Sequence, residues 1–382
     1  MSPFHQTSAA GDQQDLDVAS AAVAIPLDAL AAETLRFNDA GDFTYPDRTQ
    51  YPHQWNWDSA FAAIGWAHID PTRGYRELQT LLSAQDTRAL VPHIIYDRVA
   101  LTASYRPTAS DWGPITCPNG RSISGITQPP VAGIALRYLF ERDGDNDCVR
   151  ELITRIAGWH QFLLTDRDPL GMGEPTLIHP WESGRDNAAE WDGPLARVHV
   201  ESKKVERTDL YHGKGEERPT NTDYAHYMAL VEAGKASRWN QESLARVGSF
   251  RVLDPGFSSI LAAACADLAE VATAIGSVDI AQTSRAQAEQ LKLALAGRAD
   301  SDGIVWPHDL VTGIDLKEVS AGVALQTLVP GVSRKLAARI AEIALSGRLD
   351  SPIGVRSLAV DSHMLEPLRY WRGPVWSNIT WL

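Results

Sequence analysis

The chain has 382 residues, 44% of them hydrophobic and 22% charged, enough to bury one large core. Its formal net charge of −13 repels phosphate backbones and anionic lipid faces, so neither nucleic acid nor a membrane surface is expected as a partner. Cys117, Cys148 and Cys265 are odd in number and far apart, which argues against a secreted disulfide framework and for a reducing, cytoplasmic setting.

Residues 1–25 are polar and carry Asp12, Asp15 and Asp17 where a signal peptide would be positive, so they read as a flexible lead-in to a single domain over 26–382. The apolar run 19–25 is too short to cross a bilayer. Weak helix starts lie near Pro26 and Asp58, and Leu78, Leu81 and Leu82 share one helical face. Val131, Ile134, Ala135, Tyr138 and Leu139 follow the spacing of one buried face, with Pro129 and Pro130 before it and Gly144 after. Asp143-Gly-Asp-Asn-Asp147 lacks the remaining ligands of a calcium loop and reads as a turn between two helices, the second covering 149–164. Further helices are expected from Asp223, over 260–275, around Leu291 and Leu295, near Lys317, along Leu336, Ile340 and Ile343, and from Pro374, whose fixed φ suits a first turn. Strand patterns are rare, the best being Leu90-Val91-Pro92-His93-Ile94-Ile95. The class is therefore all-α: helical hairpins arranged as a barrel, with the long loops 38–57, 86–128, 165–222 and 349–373 gathered at one mouth. The last residues, 376–382, stop inside an apolar pattern without a cap, which gives the expectation that at least one more helix follows in a longer parent protein.

The richest segment chemically is His179-Pro-Trp-Glu-Ser-Gly-Arg-Asp-Asn187, followed by Trp191 and Asp192. A carboxylic acid held against an indole loses water, so its pKa rises and it stays protonated near neutrality as a proton donor. Asp186 and Glu182 are the two candidates. Twelve tryptophans against eight phenylalanines add flat apolar faces with one donor each, suited to stacking on a sugar ring as well as to ordinary packing. No zinc-binding His-Glu-x-x-His, phosphate-binding loop or dinucleotide glycine pattern occurs, and the histidines are scattered, so neither cofactor nor metal is expected.

Four ordered motifs, Tyr51-Pro-His-Gln-Trp-Asn-Trp-Asp58, Gly125-Ile-Thr-Gln-Pro-Pro130, the 179–187 segment and Tyr370-Trp-Arg-Gly-Pro-Val-Trp376, resemble those of glycoside hydrolase family 63. The likeness is strongest to its bacterial glucosylglycerate and mannosylglycerate hydrolases. The resemblance implies an (α/α)6 barrel, an inverting hydrolysis of an α-linked sugar, Asp186 as general acid, and a glutamate base placed beyond Leu382. Inversion needs water between the base and the sugar carbon, with carboxyls roughly 6.5–9.5 Å apart, so Glu182, on the same loop turn as Asp186, is preferred as a structural acid.

Asp58 is assigned to sugar hydroxyls, its alternative being a helix N-cap. Tyr51, Trp55 and Trp57 are expected to line the same wall or to fill the core, Gln128 to bind another hydroxyl, and Trp181 to hold the ring near Asp186. Tyr370, Trp371 and Trp376 are expected to close the opposite wall, with Gly373 allowing close backbone approach. Arg218-Pro-Thr-Asn-Thr-Asp-Tyr224 is similar to the glycerate-binding segment of those hydrolases, which gives Arg218 and Tyr224, with Tyr105 beside them, the anionic end of the substrate. The Lys/Glu-rich stretch 198–217 is expected to act as a flap. Two other readings remain, a trehalase-like or oligosaccharide α-glucosidase and a non-catalytic sugar-binding protein. Glucose and mannose are not distinguished.

Overall fold

The computed structural model describes residues 26–97, 105–144, 147–201, 207–211 and 213–382. The expected lead-in, 1–25, and part of the expected flap, 202–206 and 212, lie outside the described residues. In chain order the helices are α1 (Leu27–Asn38), α2 (Asn56–Trp66), α3 (Pro71–Leu82), α4 (Ala132–Asp143), α5 (Val149–Thr165), α6 (Asp192–Ala196), α7 (Asn221–Ala236), α8 (Gln241–Val247), α9 (Pro255–Ala274), α10 (Val278–Arg298), α11 (Ala321–Ala324), α12 (Arg334–Ile343) and α13 (Ser377–Trp381). Local chemistry explains where several begin. Asp70 accepts from the backbone N–H of Arg73 ahead of Pro71, Thr220 and Asp223 form a reciprocal capping box at α7, and Asp254 accepts from Gly256 ahead of Pro255.

Helix α9 is long and apolar enough to cross a membrane, yet it is mostly buried between α10, α4 and α5. It is the central core helix, and its apolar residues on several faces reflect burial on several sides. Leu78, Leu81 and Leu82 of α3 and Ala135, Leu136 and Leu139 of α4 bury their faces in the same large core.

Short antiparallel pairings fix the loops that leave the helices. β1 (Gln54–Trp55) pairs with β2 (Ile94–Ile95). β3 (Thr176–Leu177), β4 (Val252–Leu253), β5 (His308–Asp309) and β6 (Ile314–Asp315) form a four-stranded sheet in that order. β7 (Asp350–Ser351) pairs with β8 (Gly354–Val355). β3 delivers the chain to His179 and β4 delivers it to the Asp254 cap.

The structure departs from the sequence expectations in four places. The strand expected over residues 90–95 shrinks to Ile94–Ile95, because Pro92 removes a ladder donor ahead of it. The helix expected near Lys317 starts only after Ser320, which caps α11 through the N–H of Gly322. The helix expected from Pro374 starts at Ser377, because Val375 is held extended in a bridge to Arg356 and the Pro374 carbonyl accepts from Ser357. Helices α6 and α8 were not expected, each being too short for a clear period.

Candidate active site

The 179–187 segment is built as a rigid platform. The Nδ1 of His179 accepts from the Trp181 N–H (3.1 Å), starting a 3₁₀ turn over Pro180–Ser183. Gly184 then adopts a left-handed conformation at φ 69°, and a Cβ there would lie 2.5 Å from the Trp57 ring. Only glycine satisfies both conditions. The first and third sequence motifs therefore meet backbone against indole.

Two buried arginines brace this platform from opposite sides. Arg167 pairs with Glu182, which also accepts the N–H groups of Ile178 (2.8 Å) and Thr127 (3.2 Å). Glu182 faces the protein interior and takes no part in lining the cavity described below. Arg185 donates to Glu190 (2.5 Å), to the α9 cap Asp254 (2.9 Å) and to the α11 cap Ser320 (3.3 Å), with its guanidinium 5.1 Å from the Trp191 ring. Between these anchors the backbone carbonyl of Asp186 accepts the Tyr227 hydroxyl (3.0 Å), and Asn187 Oδ1 accepts the N–H of Trp371 (2.9 Å). The backbone on both sides of Asp186 is held, and its carboxyl opens into a cavity.

That cavity has a volume of about 660 Å³ and draws on all four long loops. One wall carries Tyr51, Trp55, Trp57 and Asp58, with Tyr105 packed edge-on against Trp55 at 5.1 Å between ring centres. Asp58 lies inside the first turn of α2, and the N-cap is Trp55, so the alternative reading of Asp58 as a cap does not hold. Gln128 accepts the Trp57 N–H through Oε1 (3.3 Å), tying the second motif to the first. Trp181 forms the base, flanked by His93 and His179 with ring centres at 5.8 and 4.4 Å. Trp371 and Trp376 stack face to face at 4.3 Å and 6°, and the Trp371 ring lies 6.1 Å from that of Trp57, so this pair adjoins the first wall instead of standing opposite it.

Tyr370 packs beside this pair, its hydroxyl 3.3 Å from the Tyr51 hydroxyl. Its φ of 31° is unusual for a non-glycine residue, and its N–H is held by the Glu217 carbonyl (3.1 Å). Gly373 does not line the cavity. A Cβ there would meet Pro367 at 2.9 Å, so its smallness serves the fold of its own loop. Arg372 of the same motif pairs with Asp192, which fastens the fourth loop to the third.

Arg218 lies over Tyr370 (4.3 Å) and Tyr51 (5.8 Å), and Tyr224 faces the same space from α7. Arg218 Nε donates to Asp209 (3.2 Å), which is also gripped by Arg207 through Nε (3.0 Å) and Nη2 (2.6 Å). Apart from Glu182 and Gly373, every candidate site residue named from the sequence thus borders one cavity. The sequence reading missed His93 and Asp209. His93 sat inside a segment read as a strand, and Asp209 inside the charged stretch read as a flap. Neither residue type stood out locally.

Desolvation dominates the electrostatics of the cavity acids. Asp186 and Asp58 each keep a face toward the cavity, but protein surrounds them otherwise. Loss of water raises the pKa of Asp186 to about 7, against the opposing pull of Arg218 and with a further push from the Asp58 charge. The same desolvation raises Asp58 to about 7. Desolvation, with His179 nearby, holds His93 well below the usual imidazole range, so its ring is neutral at pH 7, and its Nδ1 is buried without a partner among the described residues.

Residues 51–382 match the model of the mannosylglycerate hydrolase MGH1-like glycoside hydrolase domain. The chain is 35% identical over 365 residues to a mannosylglycerate hydrolase of Thermus thermophilus, covering 92% of this chain and 85% of that protein. It is 35% identical over 387 residues to the glucosylglycerate hydrolase of Mycolicibacterium hassiacum, covering 93% and 84%. Its fold superposes on the crystal structure of a GH63 mannosylglycerate hydrolase, also from Thermus thermophilus, in complex with Tris and D-glycerate, with TM-score 0.86, 34% identity and coverage of 93% and 86%. A platform that presents one acid of raised pKa to an aromatic cavity is therefore found in a chain whose relatives form a defined group, and this chain belongs to the mannosylglycerate hydrolase MGH1-like glycoside hydrolases.

Proposed function

We propose that the protein hydrolyses the α-glycosidic bond of a small glycerate glycoside, glucosylglycerate or mannosylglycerate, with inversion, on an (α/α)6 barrel and in the cytoplasm. The observation that carries this reading is the pairing, in one cavity, of a desolvated Asp186 with the Arg218 guanidinium, close enough to lower the Asp186 pKa. Asp186, protonated up to about pH 7, gives its proton to the departing glycosidic oxygen. Asp58 accepts hydroxyls of the sugar, and the Gln128 amide, with Oε1 already engaged, offers N–H to another. Trp181, Trp371, Trp376, Trp55 and Trp57 enclose the ring and exclude water.

Arg218, flanked by Tyr51, Tyr370 and Tyr224, takes the glycerate carboxylate. In a chain of net charge −13 an anionic substrate needs such a local cation. Relatives named for hydrolysis of both glycerate glycosides, and a solved relative binding D-glycerate, support this assignment. The remaining cavity acids are not assigned to water activation. Asp209 is occupied by two guanidinium groups, and Asp58 is given to the sugar. The segment 198–217 closes over the glycerate end in this reading, and hydrogen exchange in it should slow when D-glycerate is bound.

The test is release of glycerate from both glycosides, followed for the wild type and Asp186→Asn. We expect a loss of turnover of at least about 10²-fold, the usual contribution of a general acid, with glucose binding kept. A variant with wild-type rates would remove Asp186 from the reaction.

A further inference from the structure

Resting on the reading that Arg218 receives the substrate carboxylate, the surroundings of that arginine assign a role to a residue outside all four sequence motifs. An arginine clamp has a cost before it binds anything, because four side-chain torsions must settle into one geometry and give up their rotamer freedom. In this protein part of that ordering is already present. Arg218 stacks on Tyr370 (4.3 Å) and is pinned at Nε by Asp209 (3.2 Å). No second carboxylate pairs with it among the described residues. A pin on the Nε side leaves the two terminal nitrogens as donors to a planar anion, with the Tyr51 hydroxyl also in hydrogen-bonding range of the guanidinium.

Asp209 is itself fixed. Arg207 grips both of its oxygens, at 3.0 and 2.6 Å, while donating through Nη1 to Asn221 Oδ1 (3.0 Å) at the start of α7. The Arg207 guanidinium also lies 4.1 Å from the ring centre of Tyr224. One carboxylate thus bridges two guanidinium groups, each lying over an aromatic ring of the cavity wall. We infer that Asp209 is a positioning residue that sets Arg218 for a single carboxylate at the aglycone end, and so contributes to the preference for an anionic aglycone.

Charge alone predicts the opposite. Asp209 cancels one of two positive charges, so its removal would raise the local charge and tighten any anion. Positioning predicts weaker binding when the pin is lost. Calorimetric titration of the full chain with D-glycerate separates the two, with glucose titrated as a control for the sugar end. For Asp209→Asn we expect glycerate affinity to fall at least tenfold while glucose affinity is unchanged. Affinity equal to or tighter than the wild type would overturn the inference.

Asp209→Glu keeps the charge and moves the carboxylate by one methylene, so it serves if the first variant does not fold. A fall in glycerate affinity supports positioning, and wild-type affinity overturns it. Arg218→Ala tests the underlying reading separately. If that variant binds glycerate normally, the assignment of Arg218 fails. If it loses glycerate while both Asp209 variants keep it, only the role of Asp209 fails.

Discussion

Asp186 and Asp58 show how one cavity makes two acids behave alike. Neither has a guanidinium partner within ion-pair range among the described residues, and desolvation raises both to about 7. The alkaline limb of the pH–rate profile should therefore fall above about pH 7, as Asp186 loses the proton that the proposed mechanism has it donate. The same shift has a stability consequence. A carboxyl with a higher pKa folded than unfolded binds more protons in the native state, so its stabilising contribution is full below about pH 4 and fades until pH passes about 7. Asp58→Asn removes an acid that is costly to ionise. Calorimetry should find its melting temperature above that of the wild type at pH 8 and nearly equal at pH 4, and a larger gain at pH 4 would contradict the assignment. Arg218 lowers the Asp186 pKa, so Arg218→Ala should move the alkaline limb upward.

At the scale of elements, the cavity exists because loops are stitched to one another. Glu182 ties together Arg167, the strand β3 leading to His179, and the Thr127 that precedes Gln128. Removing it leaves a buried guanidinium without its counter-charge. Glu182→Ala should cost about 3–5 kcal/mol in denaturant unfolding, and a loss below about 1 kcal/mol would mean that water or relaxation satisfies Arg167 cheaply. The four long loops, the helix-rich class and most helix positions were legible from periodicity, because amphipathic spacing survives whatever the helix packs against. Boundaries failed where tertiary bonds intervened. Pro374 has every local qualification for a helix start, yet the bridge between Val375 and Arg356 keeps it extended. Lys317 opens no helix because Ser320, bonded to Glu190 in the Arg185 network, is the residue that caps α11.

Across the whole molecule the charge distribution opposes the site. The chain carries a net charge of −13, while Arg207, Arg218 and Asp209 leave one net positive charge at the end of the cavity proposed for glycerate. An approaching anion is repelled at long range and held at short range. Screening at 0.1 M ionic strength acts beyond about 10 Å, so it weakens the repulsion while leaving the enclosed clamp nearly intact. Stopped-flow association of a glycerate glycoside should accelerate between about 0.01 and 0.1 M salt with little change in dissociation. A neutral glycoside should show neither effect, and slower association of the anion with added salt would place the controlling charge elsewhere.

The sequence alone determined the helix-rich class, the loops that carry chemistry and the aromatic and acidic residues within them, because spacing and residue type are local properties. It could also prefer Glu182 as a structural acid, since two carboxyls on one turn leave no room for water. Only the tertiary structure decided that Gly184 yields its Cβ space to Trp57, that His93 flanks Trp181, and that Asp209 pins Arg218. Each of those relations joins residues whose meeting depends on how separate segments fold together, and burial, the cause of the raised acids, is a property of the assembled walls rather than of any segment.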